Sequence, residues 1–243
     1  MTRKPAELKL EAKTVIKQDP IRTILTTGFF IILTYLLSAL YTELSGAGEV
    51  IQQMYGGARD GALPALSDIV LPQVKTTAAI LALIVQLASQ VLSAGYQIYC
   101  LRRSRGENIG IRELLPPFKS AIKILLAMFL GGLIAVLGFI CLIVPGFILL
   151  YRYRMAFYII HDDPEVGVVE SLRKSGAMMK GHKWELFVLD LSFLLWEIAS
   201  AIVSALLVPA LDLWVMPYSG IAKALFYRDL AENRQPESVP WEG

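Results

Sequence analysis

The chain is expected to be an all-α polytopic membrane bundle of about six transmembrane helices, with two amphipathic helices on the cytoplasmic side. Three observations predict this class. Of the 243 residues, 55% are hydrophobic and only 18% charged, where a soluble domain carries about a quarter charged residues. Several apolar runs reach the roughly 20 residues that a helix needs to cross ~30 Å of hydrocarbon. Nearly all Lys and Arg residues cluster in segments that the same topology places on one side, as the positive-inside rule requires.

The elements follow in order. Over residues 1–20, Leu8, Ala12, Val15 and Ile16 recur at helical spacing with Lys9, Lys13 and Lys17 on other faces, the pattern of a helix lying in the cytoplasmic headgroup region. Asp19-Pro20 ends it, because the residue before a proline is pushed out of the α region. Span one covers about 22–41; its apolar core, Ile24 to Leu40, exceeds the h-region of a signal peptide and is read as retained. Residues 42–75 hold Gly46, Gly48, Gly56, Gly57, Gly61, Pro64 and Pro72 with only Arg59 and Lys75 as cations, the composition of an outer loop. Span two covers about 76–101 and runs into a basic segment, Arg102, Arg103, Arg105, Arg112, Lys119 and Lys123.

The apolar stretch from Ala121 to Ile160 is long enough for two crossings, about 121–142 and 146–160, with Pro145-Gly146 as the turn. Residues 163–181 read as a second cytoplasmic helix: Asp163 as N-cap, Pro164 at the first helical position, Gly181 closing it, and Val168, Val169, Leu172 and Met179 as its apolar stripe. Spans five and six cover about 183–207 and 210–229, with Pro209 near the outer turn, Pro217 kinking the last helix, and Trp184 and Trp214 at opposite interfaces. The tail, 231–243, is polar and carries too little apolar surface to fold. Both termini fall inside.

Polar residues within the apolar segments are the candidates for function, because a charge at the bilayer centre costs ~2.5–3.5 kcal/mol and needs a partner or water. Arg152, Arg154, Asp190 and Glu197 stand out, with Arg154 and Asp190 at depths that let them pair. Glu197 shares a face of span five with Asp190, and Ser200 and Ser204 extend that stripe. Span two has a parallel seam of Gln86, Gln90, Ser93 and Gln97. Such stripes must face each other, a cavity or a partner, since lipid leaves them unsatisfied. They either glue helices together or line a polar groove between spans two, four and five.

Other chemistry finds little support. Cys100 and Cys141 fall at opposite membrane faces in this topology, so no disulfide is expected. His161, Asp162, Asp163 and His182 flank the cytoplasmic helix, where the acids are better explained as helix-start residues than as metal ligands. Walker, GxGxxG, CxxC, HExxH and GxSxG motifs are absent from the sequence. The expectation is therefore no catalytic residue, no cofactor, no metal, and no nucleic acid; the partners expected are membrane lipids and a protein partner or a second copy.

The run Tyr151-Arg152-Tyr153-Arg154-Met155-Ala156-Phe157-Tyr158, then Asp162-Asp163-Pro164, Glu170-Ser171, Ser175, Met178-Met179-Lys180-Gly181 and Lys183-Trp184-Glu185-Leu186-Phe187, resembles the bacterial domain-of-unknown-function family 975. Leu191-Ser192-Phe193 with Trp196, Met216-Pro217-Tyr218 and Phe226-Tyr227 continue it, although Leu194-Leu195 stands where the pattern has Ile-Gly. The resemblance covers about 145–230 and implies a multi-pass protein of a bacterial cell membrane whose activity is unassigned. Together these readings predict a non-enzymatic envelope accessory, interaction or regulatory protein, with a transporter or lipid-binding protein as the alternative.

Overall fold

The computed structural model describes residues 3–59, 72–115, 118–206 and 210–233, and the described residues are helical throughout apart from short connections. The helices are α1 (Pro5–Gln18), α2 (Pro20–Ser45), α3 (Ala47–Arg59), α4 (Thr76–Ser104), α5 (Phe118–Cys141), α6 (Ile143–Tyr153), α7 (Ala156–Asp162), α8 (Val168–Met178), α9 (Lys183–Leu206) and α10 (Asp212–Glu232). They divide into two compact units: residues 32–92, and residues 1–31 with 93–243.

In the smaller unit the expected outer loop is partly helical. The first long helix continues to Ser45, turns at Gly46, and α3 follows. Gly46 has φ +69°, and a Cβ there would lie 2.6 Å from Pro72, so both backbone conformation and space exclude a side chain. Ile32, Tyr35, Leu36, Ile80, Leu83, Ile84 and Leu87 are exposed, as on helices whose solvent is hydrocarbon.

In the larger unit α10 is the central helix. Its buried residues fall on every side, from Val215 and Pro217 through Ile221, Ala222 and Leu225 to Leu230, because α1, α9 and the end of α4 surround it. The helix runs unbroken through Pro217; Pro209 lies outside the described residues, as do 60–71 of the expected loop and 234–243 of the expected tail. Helix α1, Pro5–Gln18, falls within the expected 1–20, but its apolar face meets protein rather than the headgroup region. Leu8, Ala12 and Ile16 are fully buried against α9 and α10, each large side chain contributing about 1.5–3 kcal/mol. Arg3 forks onto Asp229, and Lys9 Nζ donates to the Ser192 carbonyl at 3.0 Å.

Three boundaries differ from those the sequence suggests. The α5–α6 turn falls at Leu142, extended at φ −163° and ψ 150°, and not at Pro145-Gly146; Pro145 sits in the first turn of α6, where its missing N–H is not needed. The expected helix over 163–181 contracts to Val168–Met178 because Asp163 closes α7 instead of opening α8. Its buried face is Ser171, Leu172, Ser175 and Gly176, whereas Val169 is 71% exposed. The span expected over 146–160 is interrupted at Arg154-Met155, between α6 and α7.

Five helical stretches are long and apolar enough to cross a membrane: Pro20–Ser45, Thr76–Ser104, Ser120–Cys141, Ile143–Asp162 and Lys183–Ser204. The expected sixth span, α10, has the length at 21 residues but carries Asp212, Lys223 and Arg228, which neighbouring helices engage, Asp229, which Arg3 engages, and Glu232, which pairs with Arg228.

Candidate polar site at the meeting of α6, α9 and α10

Helix α9 turns its polar stripe toward α10. At its first turns Asp190 accepts from the Tyr151 hydroxyl at 2.9 Å and from Arg154 at 2.6 Å, while Lys223 of α10 stands 3.4 Å from its other oxygen. Lys223 also reaches Glu197 at 3.7 Å. Further along, the Ser200 and Ser204 hydroxyls both donate to Asp212, the latter at 2.9 Å. The spacing of Asp190, Glu197, Ser200 and Ser204 along one face is thus matched by Lys223 and Asp212 on the facing helix. Around Lys223, the cations Arg154 and Lys223 balance the carboxylates Asp190 and Glu197, while Asp212 is held by the serine hydroxyls.

The expected Arg154–Asp190 pair forms and Glu197 joins it, but Arg152 does not. Two residues from Arg154 on a helix, it points to the opposite side, and a Cβ on Gly176 of α8 would lie 2.6 Å from its Nε. Gln97 lines a separate cavity of about 250 Å³ with Gly131, Tyr153 and Arg154. Gln86 and Gln90 belong to the unit of residues 32–92 and are half-buried there. Sequence reasoning missed Lys223, Asp212 and Tyr151. The signal was present for the first two: charges in a segment otherwise apolar enough to be read as a span need partners as much as Asp190 does.

The break after Arg154 is held by α8. The Met155 amide donates to Ser175 Oγ at 3.2 Å, and the Ser175 hydroxyl donates to the Arg152 carbonyl at 2.8 Å. A side chain thereby serves backbone groups freed by the interrupted helix, the condition on which non-helical backbone is tolerated at membrane depth. Helix α7 is anchored at its far end, where Arg105 forks onto Asp162 at 2.8 and 2.7 Å and the Tyr227 hydroxyl donates to the same carboxylate at 2.8 Å. Asp162 is therefore an ion-pair residue.

Beside the charge cluster lies an open cavity of about 300 Å³ lined by Tyr151, Arg154, Asp190, Leu194, Glu197 and Lys223. Tyr151 and Phe187 separate it from a wholly apolar cavity of about 440 Å³ that includes Val144, Phe147, Ile148, Lys183 and Trp184. Cys100 and Cys141 are both free thiols, the first buried and the second exposed.

Residues 132–234 match the family model described as protein of unknown function (DUF975). No curated protein matches the chain, and no solved structure does. The matched segment contains α6 to α10, and with them the Arg154–Asp190–Lys223 cluster and the Ser175 contacts. The similarity of this membrane-embedded helical chain to the DUF975 family is thus a similarity of residues 132–234.

Proposed function

We propose that the protein is a non-enzymatic accessory or interaction component of a bacterial cell membrane, with both termini on the cytoplasmic side, and that its intramembrane charges hold the bundle together. One observation carries this reading: the acids and serines of the α9 stripe are engaged by groups of the same chain, Asp190 by Tyr151, Arg154 and Lys223, Glu197 by Lys223, and Ser200 and Ser204 by Asp212. A site built for turnover or transport holds polar groups in reserve for its substrate, and here they are spent on helix contacts. Orientation rests on the cationic segments around Arg102, Lys123 and Arg173.

A second reading, a lipid-binding protein, is favoured by the cavity beside Arg154, Glu197 and Lys223 and by its apolar neighbour. Asp190→Asn and Glu197→Gln variants, purified in nanodiscs, separate the two. Under the accessory reading both lose thermal stability while co-purifying lipid is unchanged. Variants as stable as the parent that lose a specific lipid, read by native mass spectrometry, overturn it in favour of lipid binding.

A further inference from the structure

Six alternating crossings require the chain to return through 146–160 and leave again through α9, so that these two segments run antiparallel. Residues near 160 would then lie beside Lys183, and residues near 146 beside the far end of α9. The observed order is the reverse. Val144 and Phe147 share a cavity with Lys183 and Trp184, the Tyr151 ring lies 6.0 Å from Phe187, and Arg154 pairs with Asp190 and lines a cavity with Glu197. Lys183 and Glu197 are about 21 Å apart along α9, so α6 follows α9 in the same direction and its first residues sit at the wrong end for a crossing.

The contacts of α7 agree. Tyr158 stacks on Tyr227 at 4.8 Å, Asp162 pairs with Arg105 just past the end of α4, and Lys123 at the start of α5 donates to the Val166 carbonyl. That end of the larger unit is also where α9 begins and α10 finishes, since Ser204 meets Asp212 while Asp190 meets Lys223. Helices α6 and α7 thus both sit at the charged end of α4, α9 and α10. From Ile124 to Tyr151 no residue is charged, and the hairpin is exposed at its tip, with Ile140 at 75%, Leu142 at 68% and Val144 at 67%, and at Phe129 along its first arm. Water is excluded as the solvent of such a surface, and the flanking cations Lys123, Arg152 and Arg154 tie its base to an interface.

We propose that residues 124–151 form a hairpin that does not cross the bilayer but lies along the face where α9 begins, tip and base both at that face, with its apolar surface covered by the acyl chains of that one leaflet. The partner of this surface is lipid, and α2, α4, α9 and α10 remain as the helices that cross. The cationic segments satisfy the positive-inside rule either way, because both ends of a hairpin and both ends of a double crossing fall on the same side.

Two measurements on the full chain in native membranes test this. In a Cys141→Ser background, Val144→Cys with Trp184→Cys is treated with a short bis-maleimide, beside the control pair Tyr151→Cys with Phe187→Cys. The expected result is an intramolecular cross-link, read as added mass, in both pairs. A link in the control pair alone overturns the proposal, because alternating crossings put residues 144 and 184 at opposite faces. Independently, a short polar segment inserted between Cys141 and Leu142 is expected to make Cys141 reactive to an impermeant maleimide only from the face of Lys183. Labelling from the opposite face overturns the hairpin.

Discussion

Replacing Asp190 with Asn removes one charge from the four-membered cluster and leaves Arg154 and Lys223 competing for Glu197 alone. Loss of one partner from a fully buried ion pair costs about 3–5 kcal/mol, because the remaining charge is stranded. Here the side chains of Arg154 and Asp190 are 34% and 17% exposed, so part of the penalty is relieved by the adjoining cavity. The Asn amide oxygen still accepts from Tyr151. A loss of about 2 kcal/mol is expected, a factor of roughly 30 in the folded-to-unfolded ratio. Arg154→Met should cost less, about 1 kcal/mol, since Asp190 keeps Lys223 and Tyr151 and hydrogen bonds to charged groups contribute on that scale. The assay is reversible unfolding in mixed detergent micelles, followed by circular dichroism, for the single variants Asp190→Asn, Arg154→Met and Lys223→Met and for Asp190→Asn with Lys223→Met. Removing the stranded cation should recover part of the loss. Asp190→Asn unfolding at the parental denaturant concentration, or a double variant worse than the sum of the singles, would refute the idea that mutual neutralisation holds α6, α9 and α10 together.

Ser175→Ala should destabilise by about 1–3 kcal/mol, the cost of leaving a buried donor unsatisfied, and speed hydrogen exchange at the Met155 amide, whose bond to Ser175 it removes. Gly220→Ala should cost about 1–3 kcal/mol by overpacking, because its Cβ would lie 2.7 Å from Cys100 Sγ; Cys100→Ala in the same chain should restore part of the melting temperature. Burial, and then the neighbouring Lys13, hold the Lys9 ammonium below its ordinary value of 10.5. Between that lowered value and 10.5 the unfolded chain binds more proton, so stability rises with pH in this window; the rise should be shallower in Lys9→Met when unfolding is compared across alkaline buffers.

Much of the fold was legible because the bilayer imposes few choices, and apolar length gives helices. Leu8, Ala12, Val15 and Ile16 announced α1, and Asp19-Pro20 its end. The stripe from Asp190 to Ser204 announced that one face of α9 needed partners, and Arg154 was found among them. What covered each face was not legible. An amphipathic helix looks the same whether lipid headgroups or α9 and α10 bury its apolar side, and Asp163-Pro164 opens a helix as readily as Asp163 closes one. Local propensity at such positions is worth a few tenths to ~1 kcal/mol, and tertiary contacts such as the Arg105–Asp162 fork override it.

The sequence by itself determined that this chain is a membrane-embedded helical protein with a charged seam on α9, because hydropathy and periodicity are local properties that survive without knowledge of neighbours. Only the tertiary structure decided that Lys223 and Asp212 complete the seam, that Arg152 stands apart, and that α6 follows α9 in the same direction. Those facts depend on the rotation and sense of helices packed side by side, and side-chain contacts between residues distant in the chain alone fix them.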